Sequence, residues 1–103
     1  MKICFICNGP ATDRHHIFNG GLRKHSEEDA LVITVCRDCH NKIHSTRELS
    51  DLVKAYGQLW YENDHSHWRY MERYKKNYVD EGEDIRSVYK KIRREYGRKK
   101  DVR

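Results

Sequence analysis

The chain of 103 residues shows no internal repeat, so we expect one domain at most, with an appended helical arm. Its hydrophobic fraction of 37% is below the roughly 45–50% apolar share of ordinary globular domains. We therefore expect a small core that needs an additional stabilising cross-link. The net charge of +5 favours an acidic partner, and no segment approaches the ~18 apolar residues that a membrane span requires. We therefore expect a soluble protein without a membrane partner.

All four cysteines fall in two C-x2-C pairs, Cys4 with Cys7 and Cys36 with Cys39. Two such pairs supply the thiolates of a closed, tetrahedral site for structural Zn²⁺, whereas a thioredoxin-like redox pair is the poorer alternative. The first residues lack the apolar run of a signal peptide. We therefore expect a reducing cytoplasm, in which cysteines bind metal instead of forming disulfides.

Two strands are predicted between the cysteine pairs, at residues 14–18 and 31–35. Successive side chains of a strand point to opposite faces, so His15 and His16 need different roles. The cysteine pairs are separated by 28 residues. In an ordinary zinc site built from two C-x2-C pairs, the separation is roughly 15–20 residues. A β-hairpin that carries both histidines accounts for the excess. Residues 22–29 are polar and are predicted to be a loop.

His40 and His44 lie four residues apart in a helix predicted to run from Cys39 to about Thr46. Side chains at this spacing share one helix face, with Cβ atoms roughly 5–6 Å apart, close enough for one ion. We therefore predict a second metal site that is built on the zinc site and includes one histidine of the first strand. A metal ion with an open position and a nearby neutral imidazole are sufficient for hydrolysing a phosphodiester.

The remainder is predicted to be helical, because apolar residues recur every three to four positions in residues 50–63, 66–78 and 85–96. The aromatic residues in these segments, including Trp60 and Trp68, are expected to pack on the core and not to stack on bases.

Basic residues are concentrated at the C-terminus, where residues 85–103 carry nine basic and two acidic side chains. Such an arm on a nearly neutral body indicates phosphate contact, although a solvated helix face gives the same pattern. The candidate nucleic-acid contacts in the whole chain are Arg23, Lys24, Lys42, Arg93, Arg94, Arg98, Lys99 and Lys100.

These motifs resemble the HNH, or ββα-metal, nucleases. The resemblance is in particular to the subclass whose ββα unit is stabilised by a zinc ion bound to four cysteines. The family motif opens with Asp or His, then His, then an aliphatic residue, as in His15-His16-Ile17, and closes with a histidine that His40 matches. The resemblance implies that His15 and His40 bind a catalytic Mg²⁺, Mn²⁺ or another divalent transition metal ion, with His16 as general base. His44 matches a further helix histidine that some members use as a ligand and others as a phosphate contact.

One position departs from the family pattern. The middle asparagine, expected nine residues before His40, falls on Leu31. Either Asn19 or Asp29 braces the metal loop instead, or activity is impaired. This departure favours the alternative function, a non-catalytic zinc-stabilised module that binds nucleic acid. A purely structural protein-interaction domain is a third possibility.

We predict an α+β protein in which a zinc-stapled ββα-metal nuclease core (1–48) is followed by a helical extension (49–79) and a basic C-terminal helix and tail (80–103). The predicted function is a metal-dependent DNA endonuclease that uses one catalytic ion and a histidine general base. Residues 4–79 are also similar, more weakly, to small phage-encoded HNH proteins and the RecA-dependent recombination-enhancement nucleases. That similarity implies a cytoplasmic protein of phage or bacterial origin, with recombination or packaging proteins as partners.

Overall fold

The computed structural model describes residues 2–97 and has an α+β architecture, as predicted. Arg98, Lys99 and Lys100 lie outside the described residues. None of the helices formed by residues 2–97 has the length and apolar character needed to span a membrane. In chain order the elements are β1 (Asp13–His16), a 3₁₀ turn (Gly20–Leu22), α1 (Arg23–Glu28), β2 (Val32–Val35), α2 (Arg37–Ser45), α3 (Arg47–Glu62), α4 (His67–Tyr74) and α5 (Ile85–Tyr96).

The two strands form an antiparallel sheet in which His15 lies opposite Ile33. Strand alternation separates the neighbouring histidines as expected, since His15 is buried and His16 is half-buried on the other face. The chain then passes from β2 through Cys36, whose sulfur accepts a hydrogen bond from the backbone N–H of Cys39 and caps α2. The second cysteine pair is therefore part of the first turn of the helix that follows the sheet.

The segment between the strands is not the loop that its polarity predicted, because it contains α1. This helix has no apolar periodicity and is fixed by contacts distant in sequence. Ser26 is fully buried, and its hydroxyl accepts from the backbone N–H of Phe18 at 2.8 Å and donates to the Phe18 carbonyl at 2.7 Å. At the end of α1, Asp29 accepts hydrogen bonds from Arg73 and Tyr74 of α4. Tertiary bonds thus order a polar segment that sequence periodicity cannot identify.

The longest helix, α3, packs against α2, α4 and α5 and organises the core. It approaches the end of β1 so closely that a Cβ atom added at Gly57 would lie 2.7 Å from Cγ2 of Ile17. Only glycine fits this contact without displacing the buried Ile17. The helix also begins at Arg47, three residues before the predicted start, directly after the extended residue Thr46 that separates it from α2.

Two expectations for the later helices are wrong. The helix predicted for residues 66–78 ends at Tyr74, where Lys75 adopts the left-handed conformation (φ 73°) that terminates helices. Trp60 and Trp68 do not pack in the core, since 53% and 69% of their surfaces are exposed. The core instead receives Tyr70 and Tyr74, which lie four residues apart on the buried face of α4.

Candidate functional site

The four cysteines form one cluster, with their sulfur atoms within 4.8 Å of one another; we call Cys4, Cys7, Cys36 and Cys39 the cysteine cluster. The Cys7 and Cys36 sulfurs are 3.8 Å apart. Zn–S bonds of about 2.3 Å in a tetrahedron place sulfur atoms about 3.8 Å apart, so this spacing fits zinc. Backbone N–H groups of Cys7 and Cys39 also donate to sulfurs of the cluster, at 3.5 Å and 3.4 Å. The residues therefore fit a structural metal such as zinc, as predicted.

The thiols of the cluster ionise unequally. Burial raises the pKa of Cys7 and, more strongly, that of Cys39. Burial also acts against ionisation of Cys4. Backbone hydrogen bonds from both C-x2-C segments outweigh this effect and lower the pKa of Cys4 to about 7. Metal binding requires thiolates, and Cys4 is better prepared to lose its proton than Cys7 or Cys39.

Three histidines form a second group, the histidine cluster of His15, His40 and His44, whose donor nitrogens lie within 4.8 Å of one another. Ring centroids are 5.2 Å apart for His15 and His40, and 4.9 Å apart for His40 and His44. Burial, and then the proximity of the other two rings, lowers the pKa of His15 to about 4. His15 is therefore neutral near pH 7, the state that binds a metal ion.

Asp13 orients one member of the histidine cluster. Its carboxylate accepts a hydrogen bond from Nδ1 of His40 at 2.9 Å and another from Nε of Arg37 at 3.0 Å. The bond from His40, followed by that from Arg37, holds the pKa of Asp13 well below its usual range. Because a carboxylate only accepts, Nδ1 of His40 carries the proton and Nε2 keeps a free lone pair. A carboxylate–histidine pair of this kind orients imidazole ligands in metal sites.

His16 lies on the opposite face of β1 and contacts Glu27 of α1. Nε2 of His16 is 2.5 Å from a Glu27 carboxylate oxygen, and this bond is the main reason that the pKa of Glu27 is lowered. The ionised carboxylate accepts, so Nε2 donates and Nδ1 is left to accept a proton. The His16 side chain is 12% exposed, which leaves it accessible to a small molecule such as water.

A cleft of about 220 Å³ is lined both by the histidine cluster and by His16. We call it the histidine cleft; its lining residues are Arg14, His15, His16, Asn19, Arg23, His40 and His44. Of the predicted nucleic-acid contacts within residues 2–97, only Arg23 lines it. The cleft therefore contains imidazole nitrogens that could hold a metal ion, one further imidazole and two guanidinium groups.

The other predicted nucleic-acid contacts within residues 2–97 lie elsewhere. Lys24 is exposed on α1, and the Lys42 ammonium donates to the carbonyl of Tyr96 at 3.5 Å. Arg93 donates to the Tyr89 hydroxyl at 2.7 Å, and Arg94 pairs with its neighbour Glu95. The Lys42 bond therefore connects α2 to the end of α5, whereas the Arg93 bond lies within α5.

Within residues 2–97, neither residue that the sequence suggested as a brace restrains the loop after β1 through a side-chain hydrogen bond. The Asn19 side chain makes no capping hydrogen bond to the 3₁₀ turn after it, and the Asp29 side chain bonds Arg73 and Tyr74 of α4. Leu31 is buried, and its carbonyl accepts from the Ile17 N–H at 3.0 Å. The side chain that ties down the loop after β1 is Ser26.

No family model matches the sequence, and no significant match is found among curated proteins or solved structures. Function must therefore be argued from the site itself. Sequence reasoning identified the seven metal-binding candidates but missed Asp13 and Glu27. Asp13 could have been found, since it is two residues before His15 and thus on the same face of β1. Glu27 gives no local signal, because it reaches His16 only through the tertiary placement of α1.

Proposed function

We propose that this protein is a metal-dependent DNA endonuclease of the HNH, or ββα-metal, type. The observation that carries the proposal is the pairing of the histidine cluster with a separate imidazole, His16, in one cleft. In this proposal β1, β2 and α2 form the ββα-metal unit, and a Zn²⁺ ion in the cysteine cluster staples its ends. A zinc thiolate site requires reduced cysteines, so the proposal includes a cytoplasmic compartment.

The chain divides the reaction among a few side chains. The histidine cluster would hold one divalent ion, which when bound supplies stabilisation of the charge that builds on the phosphate. Nδ1 of His16 takes a proton from the attacking water, since Nε2 is committed to Glu27. Glu27 stabilises the imidazolium that forms, because it is a carboxylate within hydrogen-bond distance. Arg14 and Arg23, at the edge of the cleft, can bind the phosphate oxygens.

The alternative is a zinc-stabilised module that binds nucleic acid without cutting it. Its support came from Leu31, which stands where the resembled family has a bracing asparagine. Ser26 supports the enzyme instead, because its two hydrogen bonds to Phe18 restrain the loop that leads away from His16. The Asp13–His40 bond supports the enzyme as well, since a binding module has no need for an oriented imidazole lone pair.

Supercoiled plasmid provides the test. Purified protein is incubated with plasmid in buffer containing Mg²⁺, Mn²⁺ or neither ion, and nicked and linear products are separated on a gel. We expect nicking that requires added ion and stops when chelator is added in excess of it. If the plasmid is bound but stays supercoiled with every ion, the protein is the binding module and not a nuclease.

A further inference from the structure

A second hollow of about 450 Å³ adjoins the histidine cleft. The two share His15, Asn19 and His44, so one surface continues into the other. The residues specific to this hollow come from the end of α2, from α3 and from the segment that follows α4. We call it the basic pocket after Arg47, Lys54 and Lys76, which line it together with Asp51 and Tyr78.

The basic pocket has an excess of positive charge, with three cationic side chains against the single carboxylate of Asp51. Four arginines within residues 2–97 pair with carboxylates, among them Arg37 with Asp13 at 3.0 Å and Arg73 with Asp29 at 2.6 Å. Within residues 2–97, Arg47, Lys54 and Lys76 form no salt bridge. Their charge is therefore available to an external anion.

The two lysines of the basic pocket both lie over the ring of Tyr78. The ammonium groups of Lys54 and Lys76 lie 5.5 Å and 5.1 Å from the centre of the Tyr78 ring, within cation–π range. Tyr78 is itself fixed, because its backbone N–H donates to the side chain of the buried Gln58 at 2.8 Å. Lysines from two distant segments thus converge beside the histidine cluster.

We propose that the basic pocket binds a backbone phosphate of the DNA strand, adjacent to the phosphate presented to the histidine cluster. The inference rests on the proposed function for the nature of the strand. A strand whose phosphate reaches the histidine cluster must leave the histidine cleft on both sides of that phosphate. Arg14 and Arg23 are at the cleft, and the basic pocket continues from His15 and His44. Phosphate contacts of this kind fix the register of the strand without reading bases.

The test is DNA binding by Lys54→Gln/Lys76→Gln, measured by fluorescence anisotropy on a labelled duplex across a range of salt concentrations. Buffer without Mg²⁺ or Mn²⁺ prevents cleavage. The matched control is Lys2→Gln/Lys90→Gln, which removes the same charge from two exposed lysines outside the pocket. Losing the contact with one phosphate should lower the slope of log affinity against log salt by about 0.9. For the pocket variant only, we expect a decrease of about 0.9 in slope and on the order of 10-fold in affinity, because the two lysines share one phosphate.

A Lys54→Arg/Lys76→Arg variant keeps the charge and should retain the wild-type salt slope. Equal slopes for the glutamine variant and its control would overturn the proposal. Binding of a mononucleotide as tight as that of the duplex would overturn it too, since the pocket would then serve a free nucleotide. These results are independent of cleavage. A wild type that never nicks plasmid refutes the nuclease, whereas an unchanged salt slope refutes the basic pocket alone.

Discussion

At the residue scale, two carboxylates determine which nitrogen each imidazole leaves free. Asp13 accepts from Nδ1 of His40, and Glu27 accepts from Nε2 of His16. His40 therefore presents Nε2 to the histidine cluster, whereas His16 retains Nδ1 as its proton acceptor. In the proposed mechanism, the same kind of side chain thus serves metal binding at one position and proton transfer at the other.

Glu27→Gln should impair the base without removing it. The substitution removes the negative charge beside His16, so the imidazolium that forms when His16 takes a proton is less stabilised. We expect the nicking rate to decrease on the order of 10-fold. The measurement is the initial nicking rate between pH 5 and 9 at saturating Mn²⁺.

Glu28→Gln is the matched control for this variant. It neutralises the neighbouring carboxylate on α1, which pairs with Arg73 and does not bond His16. Its pH–rate profile should match that of the wild type. A profile for Glu27→Gln that also matches the wild type would show that Glu27 does not position or polarise His16.

At the scale of elements, β1 places the histidines with the two proposed roles, metal ligand and base, on opposite faces. The helix α1 contributes Glu27 to the site. Because β1 is a strand, adjacent histidines point to opposite faces, one toward α2 and the other toward α1. The position of α1 depends on Ser26, which satisfies both backbone groups of the buried Phe18. One hydroxyl consequently links α1 to the end of the chain segment that leaves β1.

Ser26→Ala should destabilise the fold. It leaves the N–H and the carbonyl of Phe18 without a side-chain partner in a buried position, which costs roughly 2–4 kcal/mol for the two groups. Urea unfolding followed by circular dichroism measures the decrease in stability. Ser45→Ala, at an exposed hydroxyl of α2, should change the free energy of unfolding by less than about 0.5 kcal/mol. A Ser26→Ala protein as stable as Ser45→Ala would refute the bracing role.

Sequence patterns predicted the elements that contain their own signals. β-branched residues mark β2, 3–4 spacing marks α3 and α5, and the paired cysteines and spaced histidines mark both clusters. The sequence could not predict α1, because its helix depends on hydrogen bonds to Phe18 and to α4. The sequence also did not predict the exposure of Trp60 and Trp68. A repeating apolar pattern does not show which of its residues face the core. The basic pocket joins α3 to a distant segment and likewise has no local signal.

At the scale of the whole molecule, the cysteine cluster belongs to the same core as the last helix. Cys4 and Cys39 are buried in one hydrophobic cluster with Val88 and Ile92 of α5. The ring of Phe5, between the first two cysteines, lies 5.2 Å from that of Tyr89 on α5. Disruption of the cluster must therefore affect the helices as well as the sheet.

We expect one zinc per chain to remain after dialysis, and its removal should unfold the protein because metal binding is coupled to folding. Elemental analysis gives the stoichiometry, and far-UV circular dichroism during titration with a strong chelator follows the unfolding of the helices. Added Zn²⁺ should restore the spectrum, whereas Cys39→Ser should be poorly folded with or without it. A well-folded protein that contains no metal would contradict this role of the cysteine cluster.

The dependence of the plasmid nicking rate on Mn²⁺ concentration, compared among wild type, His16→Ala and His40→Ala, tests the division of roles most directly. His16→Ala should lower the maximal rate by about 10²–10⁴-fold with an unchanged half-saturating Mn²⁺ concentration, because the base does not hold the ion. His40→Ala should raise the half-saturating concentration, because the substitution removes a ligand of the ion. A wild-type maximal rate in His16→Ala, or an equal shift in half-saturation for both variants, would contradict the assignment of His16 as base and His40 as ligand.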